Sequence, residues 1–369
     1  MPKWGISMEA GAVACWLVAV GDEVSAGQEI AEVETDKITG VLESSWAGIV
    51  RALLVDVDQD VPVGTVIALI APAHVPQHEV DAAAAGVLLQ TSDGAGDPAG
   101  GPVAGELDVD GRMISFAISG PERSDGRLPL VLIHGFGDDK TSWRLIQEAL
   151  SADRQVVALD LPGHGASTKD VGDGSLAGLA AAVVGFLDAR DLIRVHLAGH
   201  AMGGAIATMA ASSLQAAGRV ASLTLIAPAG YGRMVNADYL RGVAAAETRR
   251  DITPQLQQLF ADPAMASRQF IDSVLERKRI DGAGAALNLL TDAMLTGSES
   301  AVDVRPAHAG VTGTCVAVWG SDDHIIPPAN AAGLPREVSL HMIAGAGHMV
   351  HLEQPGAVAD AIRAALGAL

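Results

Sequence analysis

The sequence predicts a two-domain protein, with a small all-β domain first and a larger α/β domain after it. Three observations support this fold class. Apolar positions near the N-terminus repeat at a fixed offset, a segment rich in glycine and proline follows, and strand-like and helix-like segments alternate in the remainder. The length of 369 residues fits about two to three domains, and a hydrophobic share of 49% is enough for a sizeable buried core.

The all-β domain is predicted from its internal repeat. Val24 and Ile30 recur 37 positions later as Val61 and Ile67. Two similar halves made of short alternating runs indicate a small barrel-like sandwich with internal two-fold symmetry. Lys37 lies between the halves, and this symmetry puts it at an exposed hairpin tip.

A composition shift separates the two domains. Ser92–Gly105 holds seven Gly or Pro among its fourteen residues, whereas the whole chain has 42 Gly and 17 Pro in 369 residues. Such a segment cannot bury enough apolar surface to offset the entropy of ordering it. We therefore predict a flexible linker over residues 75–105.

Strands alternate with helices over residues 106–369, which indicates an α/β sheet. A hairpin is predicted over Leu107–Gly120 with its turn at Asp110-Gly111, and a largely helical lid over about 231–297. The predicted strands of the sheet are Leu128–His134, Gln155–Asp160, Val195–Ala198, Ser222–Ile226, Cys315–Trp319 and Ser339–Ile343.

Five short motifs accompany these strands in a fixed order: HGFG, DLPGHG, GHAMGG, GSDDHIIP and GAGHMV. In this order and spacing they resemble the α/β-hydrolase fold, a mostly parallel, doubly wound sheet with a helical lid. The resemblance implies a catalytic acid at Asp323, with Asp322 as the less favoured neighbour, and a catalytic histidine at His348. It also implies an oxyanion hole formed by the backbone N–H groups of Phe136 and Met202.

The nucleophile position departs from the family pattern. The elbow of this family reads G-x-S-x-G, whereas this chain reads Gly199-His200-Ala201-Met202-Gly203. The glycines that a strained strand-to-helix turn needs are present, and only the hydroxyl is missing. Two explanations are open. The otherwise complete machinery favours a variant deliberately inactivated to trap a substrate complex; the alternative is a natural enzyme that needs no serine.

The N-terminal domain carries a second resemblance. The segments MPKWGISM, GDEVSAGQEIAEVETDKI and DVPVGTVIALI are similar to lipoyl domains, the swinging carriers of 2-oxo-acid dehydrogenase complexes, over residues 1–74. This resemblance implies that lipoic acid is attached in amide linkage to Lys37. A biotinyl domain has the same fold but usually flanks its lysine with methionines, whereas Asp36 and Ile38 stand at those positions here.

A lipoyl domain joined to an α/β-hydrolase domain resembles the dihydrolipoyllysine-residue acetyltransferases (E2) of bacterial acetoin dehydrogenase complexes, over essentially the whole chain. The resemblance implies transfer of an acetyl group from the lipoyl arm to coenzyme A, with no metal. It implies two partner enzymes, a thiamine-diphosphate-dependent E1 and dihydrolipoamide dehydrogenase (E3), and a homo-oligomeric E2. Ordinary E2 proteins end in a domain with an HxxxDG signature, which this sequence lacks.

Charge and cysteine content bear on partners and location. Asp and Glu number 44 against 24 Lys and Arg, a net charge of −20, and so negative a surface repels nucleic acid. No apolar run reaches the roughly 18–20 residues of a membrane span. Cys15 and Cys315 lie 300 positions apart, which rules out a disulfide framework. These features predict a soluble, cytoplasmic protein.

Two other functions stay open from the sequence. One is an ester or thioester hydrolase with a lipoyl appendage, which steady release of free acid without coenzyme A would favour. The other is a non-catalytic pseudo-hydrolase that organises a complex, for which Ala201 is the main argument. The basic residues of the lid region that are candidates for coenzyme A phosphates, or for a solvated helix face, are Arg233, Arg241, Arg249, Arg250, Arg277, Lys278 and Arg279.

Overall fold

The computed structural model describes residues 10–34, 39–44, 46–63, 65–72, 75, 102–121, 126–152 and 154–367. The chain divides into two compact units, Met1–Ala99 and Gly100–Leu369. Within the described ranges, no helix has the length and apolar character that crossing a membrane requires.

The described residues of the first unit form seven short strands, which are β1 (Ala10–Trp16), β2 (Glu23–Val24), β3 (Glu29–Glu34), β4 (Thr39–Glu43), β5 (Gly48–Leu53), β6 (Asp60–Pro62) and β7 (Ala68–Ala71). They form two antiparallel sheets. One has four strands in the order β4-β3-β1-β6, and the other has three in the order β2-β5-β7. The predicted all-β fold of this unit is confirmed.

The internal repeat forms the core of the first unit. Val24 and Ile30 are buried, and so are their counterparts Val61 and Ile67. Val24 and Ile30 belong to one apolar cluster, and Val61 and Ile67 belong to a second, because alternate residues of a strand point to the same face of a sheet. The repeat seen in the sequence therefore supplies the packing of this unit.

One hairpin of the first unit bears on function. Strands β3 and β4 pair antiparallel, with Glu34 opposite Thr39. Lys37 belongs to the four residues that connect them and lies outside the described residues.

The second unit begins with the predicted hairpin. Strands β8 (Val103–Val109) and β9 (Arg112–Ser119) pair antiparallel. Asp110 and Gly111 turn between them with φ angles of 52° and 81°, as a tight hairpin turn requires. Because residues 103–105 pair with β9, they belong to the sheet and not to the predicted linker, most of which lies outside the described residues.

An eight-stranded sheet forms the centre of the second unit. Besides β8 and β9 it contains β10 (Leu130–Ile133), β11 (Val156–Leu159), β12 (Val195–His200), β13 (Val220–Ile226), β16 (Thr314–Gly320) and β17 (Ser339–Ile343), and a separate hairpin pairs β14 (Leu295–Thr296) with β15 (Glu299–Ser300). The order is β17-β16-β13-β12-β10-β11-β9-β8. The six strands from β17 to β11 are parallel, and β9 runs antiparallel to β11. This confirms the predicted α/β-hydrolase fold.

Helices pack on both faces of this sheet. Leu130 and Leu132 join one apolar cluster, and Val131 and Ile133 join another, because successive residues of a strand face opposite sides. The helices are α1 (Arg144–Leu150), α2 (Leu176–Ala189), α3 (Met202–Leu214), α4 (Ala237–Ala245), α5 (Arg249–Gln257), α6 (Arg268–Lys278), α7 (Ala283–Met294), α8 (Arg305–His308), α9 (Val350–Glu353) and α10 (Pro355–Leu366). Helices α4 to α7 form the lid.

Candidate active site

The strand order determines where the site lies. Strand β10 lies between β11 and β12, so the chain goes to one side of β10 for β11 and to the other side for β12. In open α/β sheets, ligands bind at the carboxyl ends of the strands where the order reverses in this way. Phe136 follows β10 at this point, and Ala201 follows β12.

Ala201 occupies a strained turn between β12 and α3. Its φ of 50° and ψ of −115° lie in a region that residues other than glycine rarely adopt. Its N–H donates to the carbonyl oxygen of Ile226 at 2.9 Å, and its own carbonyl accepts from the N–H of Ala229 at 3.0 Å. The end of the neighbouring strand β13 therefore holds the elbow, with a methyl group where the family has a hydroxyl.

Gly203 allows helix α3 to approach strand β10. A Cβ atom at this position would overlap the carbonyl oxygens of Ile133 and His134. These are backbone atoms, which cannot move aside as a flexible side chain can.

We expect Gly203→Ala to lower the free energy of unfolding by about 1–3 kcal/mol, the usual cost of overpacking. The matched control is Gly284→Ala, because a Cβ at Gly284 meets no atom within 4 Å and alanine is the better helix former. Urea unfolding of both variants measures the difference. A Gly203→Ala protein as stable as the parent would contradict this account of the elbow.

Asp323 and His348 form a buried pair after β16 and β17. The Nδ1–H of His348 donates to Asp323 Oδ2 at 2.8 Å, and Asp323 Oδ1 accepts from the N–H groups of Ile325 and Ile326 at 2.8 and 2.9 Å. Three hydrogen bonds fix the carboxylate and, through it, the imidazole. His348 lines the cavity of the site, so its Nε2 is the atom available for proton transfer.

The neighbouring acid, Asp322, does not take part in this pair. Its side chain is exposed, and its Oδ2 accepts from the Ser321 hydroxyl at 3.0 Å. Of the two acids considered from the sequence, the structure brings Asp323 to His348.

The loop that carries His348 is fastened to the lid. The N–H groups of His348 and Met349 both donate to the carbonyl oxygen of Leu259, at 2.8 and 3.1 Å. The carboxylate of Glu353 accepts from the N–H of Gly347 and from the N–H of Ala261 in the lid, each at 2.9 Å. The position of the histidine therefore depends on where the lid lies.

Phe136 and Met202 lie on either side of the elbow. Both line the cavity together with Ala201. Within the described chain, neither residue uses its N–H in a hydrogen bond. Two free donors next to the elbow are what an oxyanion hole needs.

His164 supports the turn that carries Phe136. Its Nε2 accepts from the N–H of Gly137 at 3.1 Å, and its Nδ1 donates to the carbonyl oxygen of Pro162 at 3.2 Å. Burial lowers the pKa of His164 to about 3, so the ring is neutral near pH 7 and keeps Nε2 as an acceptor.

The cavity above these residues has an empty volume of about 610 Å³, part of which is open to solvent. Its floor is the elbow, the Phe136 turn and His348, and its roof is the lid. The lid side is mostly apolar, formed by Val235, Leu240, Val243, Leu256, Phe270 and Met294.

Two family models match the chain. The model described as "Biotin-requiring enzyme" matches residues 1–70, and the one described as "Alpha/beta hydrolase family" matches residues 130–361. The acetyltransferase named "Dihydrolipoyllysine-residue acetyltransferase component of acetoin cleaving system" from Pseudomonas putida is 41% identical, with 96% of this chain and 94% of that protein covered. The protein of the same name from Cupriavidus necator is 36% identical, with 96% and 93% covered. The chain belongs to the dihydrolipoyllysine-residue acetyltransferases.

A solved structure has a fold similar to that of the second domain of this acetyltransferase. The hydrolase of 2-hydroxy-6-oxo-6-phenylhexa-2,4-dienoate from Rhodococcus has a TM-score of 0.64 at 19% identity, and covers 72% of this chain and 99% of its own. At this identity, the likeness concerns the fold alone.

A row of tilted aromatic rings lies against His348. The ring centroid of His200 lies 4.6 Å from that of His348 and 4.5 Å from that of His351, and Trp143 continues the stack at 4.6 Å from His351. His200 Nε2 donates to the carbonyl oxygen of His348 at 3.0 Å. Burial lowers the pKa of His351 to about 3 and that of His200 well below its usual range, which keeps these two rings uncharged near pH 7.

The sequence analysis missed two residues that line the cavity of the acetyltransferase. Asp138 directly follows the HGFG motif, and this adjacency was an available signal. Burial, with the charge of Asp139 nearby, raises the pKa of Asp138 and favours its protonated form. Tyr239 reaches the cavity from lid helix α4, where nothing in the sequence distinguishes it from an ordinary buried residue.

Proposed function

We propose that this chain passes an acetyl group from an S-acetyldihydrolipoyl-lysine to the thiol of coenzyme A in an acetoin-cleaving complex. The observation that carries the proposal is the His348–Asp323 pair, which lines the same cavity as Ala201. A buried imidazole oriented by a carboxylate acts as a general base. The relatives' name supplies the acetyl group and the lipoyl-lysine.

Lys37 is the proposed site of lipoic acid attachment. The fit rests on β3 and β4, because the pairing of Glu34 with Thr39 puts Lys37 in a four-residue connection at one end of both strands. When attached there, the lipoyl group supplies a thiol that carries the acetyl group as a thioester.

His348 has the role of base toward the acceptor thiol. Its Nε2 takes the proton of coenzyme A, and Asp323 stabilises the imidazolium that forms. A thiol has a pKa of about 8.5, which is close enough to that of an imidazole for efficient proton transfer. With alanine at residue 201, the resulting thiolate attacks the thioester carbonyl directly.

The oxyanion forms at that carbonyl when the thiolate adds. The N–H groups of Phe136 and Met202 donate to it, and they are fixed before the reaction by the turn and by the start of α3. When the tetrahedral centre collapses, acetyl-coenzyme A forms, and the proton held by His348 returns to the departing thiolate.

The lid has the role of excluding water. Hydrolysis of either thioester would lose the acetyl group as acetate. The apolar side chains of the lid over the cavity oppose this loss, because they offer no hydrogen bonds to an attacking water.

The partners follow from the same proposal. A thiamine-diphosphate-dependent E1 supplies the acetyl group from acetoin, and dihydrolipoamide dehydrogenase reoxidises the dithiol. The acetyltransferase itself forms a homo-oligomer. The relatives' description as a component of a cleaving system supports a multienzyme complex.

We expect His348→Gln to slow acetyl-coenzyme A formation by about 10²–10⁴-fold, the usual contribution of a general base. The assay uses the full chain with acetylated dihydrolipoamide and coenzyme A as substrates. The matched control is His324→Gln, because His324 is exposed and follows Asp323 on the same loop. Equal rates in the His348 variant and the parent would overturn the assignment of His348 as the base. If the parent released acetate without coenzyme A as fast as it forms acetyl-coenzyme A, the protein would be a hydrolase instead.

A further inference from the structure

A smaller chamber lies beside the main cavity. Its empty volume is about 290 Å³, part of which is open to solvent, and it shares Gly137, Asp138, Val274 and Arg277 with that cavity. We call it the side chamber. These four residues therefore belong to the walls of both spaces.

Basic side chains line the side chamber. Lys169 comes from the loop between β11 and α2, and Arg277 and Lys278 come from the end of lid helix α6. The chain has only 24 basic residues and a net charge of −20. Three of the 24 therefore line one small space next to the reacting centre.

The two lysines differ in what their ammonium groups can still bind. Lys169 Nζ donates to three carbonyl oxygens, those of Gly165 and Ser167 at 2.7 Å and that of His164 at 3.3 Å. Its three N–H donors are all used, so it contributes a fixed charge. Among the described residues, Lys278 Nζ donates to one carbonyl oxygen, that of Ala244 at 3.0 Å, which leaves two of its donors for a ligand.

Three acids lie at or near the side chamber. Asp160 pairs with Lys140 at 2.6 Å, and Asp139 pairs at 3.1 Å with Arg277 of the lining, which offsets the charge of that arginine. Asp138 also lines the side chamber, but burial and the charge of Asp139 raise its pKa and favour its uncharged form. The charges of Lys169 and Lys278 are met by carbonyl oxygens, so the side chamber has an excess of positive charge.

Burial makes these two charges costly. It lowers the pKa of Lys169 and that of Lys278, although Asp160 acts against it at the first and Glu247 at the second. An anion in the side chamber would favour the charged form of both lysines.

We infer that the side chamber binds a phosphate of coenzyme A, with Lys278 as its direct ligand and Lys169 as a fixed charge behind it. The inference rests on the proposed function and adds to it how the acceptor is recognised. The acetyl group and the lipoyl arm are uncharged and gain little from two ammonium groups. Coenzyme A has its thiol at one end of a neutral pantetheine arm and a diphosphate at the other, so in this proposal the thiol lies near His348 and the diphosphate lies in the side chamber.

The test compares coenzyme A with pantetheine, the same thiol arm without its phosphates, by calorimetric titration of the full chain. In Lys278→Gln, we expect coenzyme A to bind about tenfold or more weakly, the loss of one charge-assisted hydrogen bond. Pantetheine should bind as before. The matched control is Arg279→Gln, which removes the same charge one residue further on, where the side chain is exposed and outside the side chamber; it should change neither affinity.

Further measurements separate the possible outcomes. Lys278→Arg keeps the charge and should retain most of the affinity for coenzyme A, even if the glutamine variant has a lower melting temperature. If coenzyme A binds equally weakly to the Lys278→Gln and Arg279→Gln proteins, the inference is overturned, because the effect would then come from the overall positive charge of the lid and not from one side chain. Loss of pantetheine affinity would also overturn it. If the proposed function is wrong, the result is different: none of these proteins, the parent included, forms acetyl-coenzyme A, although the expected differences in coenzyme A binding are still observed.

Discussion

Ala201→Ser is expected to raise the rate of acetyl-coenzyme A formation by up to about 10⁶-fold, the factor lost when a triad serine is removed from an enzyme that uses one. The reason lies in the elbow. Its φ of 50° and its hydrogen bonds to Ile226 and Ala229 already hold residue 201 at the cavity beside His348. A hydroxyl there gains a base and an oxyanion hole without rearrangement, and an acetyl-serine replaces the direct route.

Two measurements accompany this comparison. Mass spectrometry of the serine protein, mixed with acetylated dihydrolipoamide in the absence of coenzyme A, should find one added acetyl group on residue 201. The double variant Ala201→Ser, His348→Gln is the control and should lose the gain, because the serine needs its base. If serine and alanine proteins react at equal rates, the covalent route is wrong, and direct attack by coenzyme A is the whole mechanism.

Lys37→Arg is expected to abolish lipoylation and, with it, all transfer through the chain's own arm. Arginine keeps the positive charge but cannot form the amide. The intact mass of protein made in cells able to attach lipoic acid should lack one lipoyl group. Lys3→Arg is the matched control, because Lys3 is the only other lysine of residues 1–74.

The same Lys37→Arg protein separates the carrier from the catalytic domain. Transfer from free acetylated dihydrolipoamide to coenzyme A should continue in it, since that reaction uses the second domain alone. An unmodified parent chain, or a lipoyl group that stays in the arginine variant, would exclude Lys37 as the attachment site.

The parts of the molecule that the sequence predicts well are those set by local patterns. The repeat that relates Val24 to Val61 is the core of the first unit, because side-chain alternation along a strand is a local property. The order of the five motifs likewise predicts the α/β-hydrolase fold of the second unit. Asp323 and His348 were found in the same way, since each follows a strand of a parallel sheet and such strands end at one edge.

The parts that the sequence predicts poorly depend on distant segments meeting. Tyr239 and Arg277 face the cavity because the lid folds over the sheet, and their helices have no motif that records this. Lys169 and Lys278 lie 109 positions apart, so their convergence is visible only in three dimensions. The predicted linker ended at residue 105, whereas β8 begins at Val103, because the pairing that orders residues 103–105 comes from the following strand.

The attachment of the His348 loop to the lid couples the position of the imidazole to that of the lid. Leu259 holds the backbone of His348, and Glu353 joins Gly347 to Ala261. Any opening of the lid that moves residues 259–261 breaks these bonds and displaces the imidazole. A movement of the lid that admitted solvent would therefore also displace the proposed base, so hydrolysis of the thioester would lack its base while water had access.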